Sequence, residues 1–151
     1  MPIPASFVPW FTELCRLGGM SDPQAAIEAS ALMLDDVIVA IHPSLTAPQS
    51  DLLFQVPLGS LPAGDVEAAP ILRRLLEVQM LLSGPAAPSF GLSVGSDVVF
   101  VSVALRPAEL EVNAAVQVLG MLARLVRTLR ESLHLQQSVQ GAPAASEEVQ
   151  A

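Results

Sequence analysis

Apolar residues recur at three- and four-residue spacing in three parts of the chain, which predicts three helices. The first covers about residues 7–17, with Ser6 as its N-cap and Gly18 and Gly19 ending it. The second covers about residues 71–82 and is stopped by the Ser-Gly-Pro sequence that follows. Each helix has one apolar face, so each is expected to pack against other elements.

The third helix is the clearest element of the pattern. Pro107 is expected to open it, Glu109 and Glu111 fall in its first turn, and its arginines lie towards its end near Leu135. Residues 136–151 are rich in Gln, Ala, Ser and Glu, so we predict a flexible tail there and a single domain over residues 1–135.

Between the helices the period changes to two, which predicts five strands. The first two strands form a hairpin with Asp35 and Asp36 at its turn, and a Pro-rich loop at 43–48 leads to a third strand at 51–56. The fourth strand alternates Phe90, Leu92 and Val94, and the fifth covers residues 98–105. Residues 24–30 fit a helix or coil equally well, and a turn is expected at 21–23.

The resulting order is α-β-β-β-α-β-β-α. It predicts an α+β fold in which a twisted antiparallel sheet is packed by helices.

The composition excludes some classes of function. The chain has 151 residues, of which 52% are hydrophobic, and its 7 basic residues face 15 acidic ones for a net charge of −8. All the basic residues are Arg, so the chain lacks the cations that a nucleic-acid or anionic-membrane binder needs. We found no signal peptide and no apolar run long enough to cross a bilayer, so a cytoplasmic location is expected.

The residues that carry chemistry form no recognisable constellation. His42 and His134 lack metal-ligand spacing, Cys15 fits a buried apolar position, and the Asp35-Asp36 pair fits a solvated turn. Without Lys a Walker A phosphate loop is impossible. We therefore expect no enzymatic activity, no cofactor and no metal site.

Apolar surface is in excess. A domain of 151 residues cannot easily bury all of the apolar helix and strand faces predicted here in a single hydrophobic core. Two interpretations stay open at this point: an ordinary core with a somewhat apolar surface, or a homodimer seam together with a surface that receives an apolar partner segment.

Three stretches resemble the class I type III secretion chaperones of the Tir-chaperone (CesT-like) family. They are the opening helix at 7–18, the Leu-rich helix at 71–82 with the strand at 90–94, and the strand at 98–105 leading into the final helix. The chain departs from the family pattern in two places. Gln79 stands where the family often has Asn, and the Pro-rich loop at 43–48 replaces a tighter hairpin.

The resemblance implies an acidic homodimer in the bacterial cytosol that is not an enzyme. Such a chaperone holds the N-terminal chaperone-binding segment of one or more secreted effectors extended and ready for export, in support of virulence. The export ATPase is a further candidate partner. The alternative function is a regulatory or scaffolding adaptor of the secretion system that sequesters a regulator or docks partners.

The resemblance also implies two sites. The partner-binding residues are expected on the first helix and on the second and third strands: Phe7, Trp10, Phe11, Leu14, Val37, Val39, Ile41, Leu52 and Phe54. The dimer interface is expected on the second helix and fourth strand: Leu75, Val78, Leu82, Phe90 and Leu92. Which face of each strand points outward depends on register, because a shift of one residue exchanges the two faces.

Overall fold

A computed structural model describes residues 2–19, 22–84 and 86–135 of the chain. A 3-10 turn at Ala5–Phe7 precedes the first helix. The regular elements in chain order are α1 Val8–Leu17, α2 Pro23–Ala29, β1 Ala31–Leu34, β2 Val37–Pro43, β3 Leu52–Ser60, α3 Asp65–Leu81, β4 Ser89–Leu92, β5 Val98–Leu105 and α4 Val112–Leu133. The α+β prediction is confirmed, with one more helix than expected.

The five strands form one antiparallel sheet in the order β1-β2-β3-β5-β4. The Asp35-Asp36 hairpin turn is confirmed, and Asp35 adopts a left-handed φ of 58°, which Asp tolerates better than most residues. The Pro-rich loop does not prevent pairing of β2 with β3, since His42 lies opposite Leu53 and Ala40 opposite Gln55.

One face of the sheet, called here the inner face, carries the core. Alternate residues of β2 and β3, such as Val39 and Phe54, are fully buried there beneath α1 and α4. The buried stripe of α4 includes Leu119, Leu122 and Val126. By length and composition α4 could also span a membrane, and its buried stripe packs in the core of this fold.

Several boundaries differ from the predictions. Phe7 is the N-cap of α1 in place of Ser6. Asp22 caps α2 by accepting a hydrogen bond from the Ala25 N–H at 3.3 Å, so Pro23–Ala29 is helical, which decides the segment at 24–30 in favour of helix and places Pro23 of the expected turn in that helix. The third strand extends four residues beyond Val56, and the fourth ends at Leu92, which leaves Val94 in the following turn.

The two larger corrections concern prolines. The helix predicted at 71–82 is α3 of the structure. It begins at Asp65 and continues through Pro70, where the sequence placed the end of the preceding connection. The last helix begins at Val112, with Glu111 as its N-cap, because 107–110 forms a separate turn that Pro107 opens. The predicted tail at 136–151 lies outside the described residues.

Truncation of Phe54, a large side chain on the buried inner face, tests the fold. We expect Phe54→Ala to destabilise the protein by about 3–5 kcal/mol, because Phe54 is 0% exposed and its removal leaves a cavity. Leu45→Ala is the control, since Leu45 is 90% exposed and its loss should change the free energy of unfolding by less than about 0.5 kcal/mol. Urea denaturation followed by circular dichroism measures both; equal values for the two variants would contradict the placement of Phe54.

Candidate functional site: an open sheet edge and an apolar helix face

The predicted partner-binding residues lie inside the protein. Eight of the nine are buried: Phe7, Phe11, Leu14, Val37, Val39, Ile41, Leu52 and Phe54. They share the inner face of the sheet and the helix side that covers it, so a partner cannot reach them in this structure. This corrects the predicted strand faces: the residues at the next positions point outward, and Ile38 is 59% exposed.

The remaining predicted partner-binding residue, Trp10, is half-buried. Its indole Nε1–H donates a hydrogen bond to the backbone oxygen of Leu110 at 3.1 Å. Trp10 thereby joins α1 to the turn before α4, and its position is explained by this structural role.

The edge of β1 offers the backbone groups that a partner strand needs. The Ile41 N–H donates to the Ser30 oxygen at 2.8 Å, and Leu34 lies opposite Val37 across the two-residue turn. Because alternate residues of an antiparallel strand bond to the same side, Ser30, Leu32 and Leu34 bond to β2. The N–H and C=O groups of Ala31 and Met33 therefore face the open edge of the sheet.

Two grooves flank this edge. The first, the α2 groove, has a volume of about 250 Å³ and an almost wholly apolar lining: Ala25, Ala26, Ala29, Ala31, Leu32, Met33 and Ile38. The second, the α4 groove, has a volume of about 180 Å³ and the lining Gly18, Gly19, Met33, Leu34, Asp35, Val116, Gly120 and Ala123. An extended peptide sends alternate side chains to opposite faces, and a groove is available on each side of the β1 edge.

The opposite edge of the sheet is different. The side-chain amide of Gln79 donates to the Pro88 oxygen at 3.0 Å and accepts from the Phe90 N–H at 2.9 Å. These two bonds fasten α3 to β4 and occupy backbone groups on the outer edge of β4. Gln79, which stands where the family often has Asn, therefore makes a structural contact with β4. Of the two edges of the sheet, β1 is the more accessible.

A second apolar surface lies on α3 and β4, and we call it the α3–β4 face. Its residues are Leu72, Leu76, Met80, Phe90 and Leu92. Leu76 is 71% and Met80 85% exposed, although they are large and apolar and lie one helical turn apart. Large contiguous apolar surface of this kind marks interaction sites on soluble proteins.

The predicted dimer residues overlap this face in part. Phe90 is half-buried on it and Leu92 is 49% exposed, whereas Leu75 is buried below it at 3% exposure. Val78 and Leu82 are half-buried. The large apolar residues that α3 exposes on this face, Leu76 and Met80, are therefore neighbours of the predicted residues and not those residues themselves.

The polar residues build no catalytic arrangement among the described parts of the chain. His42 Nε2 lies 2.8 Å from Gln55 Oε1, and His134 is exposed at the end of α4. Within 2–19, 22–84 and 86–135, no three His, Cys, Asp or Glu side chains converge to hold a metal ion. Cys15 is buried as expected, and this burial raises the pKa of its thiol.

One ion pair gives the fold a pH dependence. Arg106 donates to both carboxylate oxygens of Asp51, at 2.8 and 3.4 Å, and joins the start of β3 to the end of β5. This bonding lowers the pKa of Asp51 below its ordinary value of 3.8. The stabilisation is complete above that ordinary value and is lost as the pH falls through the lower, folded-state value.

We expect Asp51→Asn to cause a small loss of stability at pH 7 and to flatten the acid limb of the stability curve. Urea midpoints measured between neutral and acid pH test this, with Asp97→Asn as the control, because Asp97 forms no described ion pair with Arg106. An Asp51→Asn curve parallel to that of the wild type would contradict the assignment.

Comparison with known proteins depends on structure alone. No protein-family model and no curated protein sequence matches the chain. The Yersinia pestis type III secretion chaperone SycH, solved in complex with a stable fragment of YscM2, superimposes with a TM-score of 0.58 at 16% sequence identity, covering 82% of this chain and 98% of that chain. The chain has the type III secretion chaperone fold.

A second structure supports this conclusion. The HopA1–SchA chaperone–effector complex superimposes with a TM-score of 0.57 at 17% identity, covering 86% of this chain and 99% of that chain. The fold implied by the sequence resemblance is therefore confirmed.

Proposed function

We propose that this protein is a cytosolic chaperone of a bacterial type III secretion system, which binds an extended segment of one or more secreted effectors. The open β1 edge, flanked by the apolar α2 groove on one side and the more polar α4 groove on the other, is the observation that carries this proposal. The two similar structures add support, since one is a type III secretion chaperone in complex with a fragment of another protein and the other is a chaperone–effector complex.

The client segment would add to the sheet as a sixth strand. Backbone hydrogen bonds to Ala31 and Met33 would supply affinity that is independent of sequence, and the α2 groove would select apolar side chains at alternate positions. Ile38 and Met33 form exposed walls for these side chains, at 59% and 45% exposure. This proposal replaces the buried residues that the resemblance implied by their outward-facing neighbours.

The working form would be a homodimer joined through the α3–β4 face. Pairing of two copies would cover Leu76 and Met80, and the net charge of −8 would keep the assembly dissolved. The site contains no arrangement for catalysis, so binding is the proposed activity; the export ATPase stays a predicted partner on the strength of the resemblance alone.

Co-expression with the N-terminal segments of candidate secreted effectors tests the function. We expect a stable complex in which hydrogen exchange shows protection of β1 and an effector segment without a fold of its own. Failure to retain any effector would count against the proposal. A partner that remains inside the cell would instead support the adaptor function.

A further inference from the structure

The exposed side of α3 carries apolar residues in a regular pattern. Val66, Leu76 and Met80 are 83%, 71% and 85% exposed in the single chain. Together with Ala69 and Arg73, which are also exposed, they are spaced alternately by three and four residues. This is the spacing of a helix face that packs lengthwise against another helix. We call these five residues the α3 seam.

The α3 seam is symmetric along its length, so it can pack against a second copy of itself. A two-fold axis perpendicular to two neighbouring helices makes them run antiparallel. An axis through the middle of the seam brings Ala69 opposite the partner's Met80, so that a small side chain faces a large one. The same axis brings Arg73 opposite the partner's Leu76.

The seam also carries charges that complement each other across this axis. Arg73 and Glu77 form no ion pair with any residue that the structure describes, although they lie four residues apart on the exposed side of α3. At this spacing both lie on one flank of the helix, and the axis places that flank against the same flank of the partner. Arg73 therefore lies beside the partner's Glu77, and the pair occurs twice. In a parallel arrangement Arg73 would face its own copy, and the like charges would repel.

We propose that Arg73 and Glu77 determine how this chain recognises a second copy: they align the two α3 helices antiparallel and exclude partners that lack the complementary charge. This inference rests on the proposed homodimer and adds its register and its selectivity. The occupant is a second copy because the seam complements itself in both size and charge. An apolar seam alone would accept many helices, whereas Arg73 at its centre leaves an unpaired charge against a wrong partner.

Charge reversal tests this pairing, with the dimer dissociation constant measured by sedimentation or light scattering over a range of concentrations. Arg73→Glu places two carboxylates together on each side of the axis and should raise the dissociation constant about tenfold or more. Glu77→Arg should do the same with the signs exchanged. Arg74→Glu is the matched control, because it changes the net charge equally but lies about 100° further around the helix, away from the seam. It should dimerise as the wild type does.

Mixing the two reversed variants separates charge pairing from general damage. Arg73→Glu and Glu77→Arg each repel their own copy, but together they restore two opposite-charge pairs and should form a mixed dimer of about wild-type affinity. The double variant Arg73→Glu/Glu77→Arg should dimerise with itself for the same reason. Native mass spectrometry distinguishes the mixed dimer from either homodimer by mass.

Four outcomes would overturn the inference: a wild-type protein that stays monomeric, a folded Arg73→Glu that dimerises as tightly as the wild type, equal weakening by Arg74→Glu, or reversed variants that do not combine. These measurements use the purified chain without an effector. Unchanged dimerisation of Arg73→Glu together with effector retained in the co-expression experiment would refute the pairing and leave the chaperone function standing. The expected mixed dimer without any retained effector would refute the function alone.

Discussion

Met80→Glu is expected to convert the proposed homodimer to a folded monomer. Met80 is 85% exposed in the single chain, so a glutamate there costs the monomer little. In a two-fold symmetric interface each substitution occurs twice, and two carboxylates would lose their water on an apolar surface. We expect the dimer dissociation constant to rise about hundredfold or more.

Light scattering measures this effect as a fall in mass from about twice 15.8 kDa to 15.8 kDa. Ile38→Glu is the control, because Ile38 is also exposed but lies across the sheet from the α3–β4 face, beside β1. It should remain dimeric. A wild-type protein that is monomeric at all concentrations, or a Met80→Glu protein that stays dimeric, would remove the α3–β4 face as the interface.

Met33→Pro is expected to weaken the proposed client binding strongly while the sheet stays intact. The Met33 N–H points to the open edge, so proline removes a donor that the fold itself does not use. An added client strand would lose that hydrogen bond and meet the proline ring at the edge. We expect effector retention in the co-expression experiment to fall about tenfold or more.

Met33→Leu controls for the loss of the side chain, because it preserves an apolar wall for both grooves and retains the backbone donor. It should retain effector nearly as well as the wild type. If Met33→Pro is folded by circular dichroism and binds effector at the wild-type level, the client does not use the β1 edge.

From the sequence one can predict which strand residues share a face of the sheet more reliably than which face the helices bury. Leu52 and Phe54, which were predicted to act together in partner binding, do share one face of β3, because strand side chains alternate strictly. Their burial is decided by α1 and α4, which pack on that side from distant parts of the chain. The client residues were expected at the buried positions for this reason, and only the neighbouring positions reach solvent.

Boundary errors have a related cause. Pro70 and Pro107 are strong local signals, yet the structure uses them differently from their usual positions at helix ends. Gln79 is a further case: its contact with β4 crosses about ten residues and the α3–β4 connection, and no periodic pattern reveals it. Local propensity is a weak guide wherever tertiary contacts compete with it.

The closure of β4 by the Gln79 amide has a consequence for growth of the sheet. A molecule with two free edges can join others end to end without limit and form filaments. Here the Pro88 oxygen and the Phe90 N–H are already bonded to Gln79, which disfavours pairing of the β4 edge with the β1 edge of another molecule. The Gln79 side chain would thus limit end-to-end growth of the sheet while the β1 edge stays open for the proposed client strand.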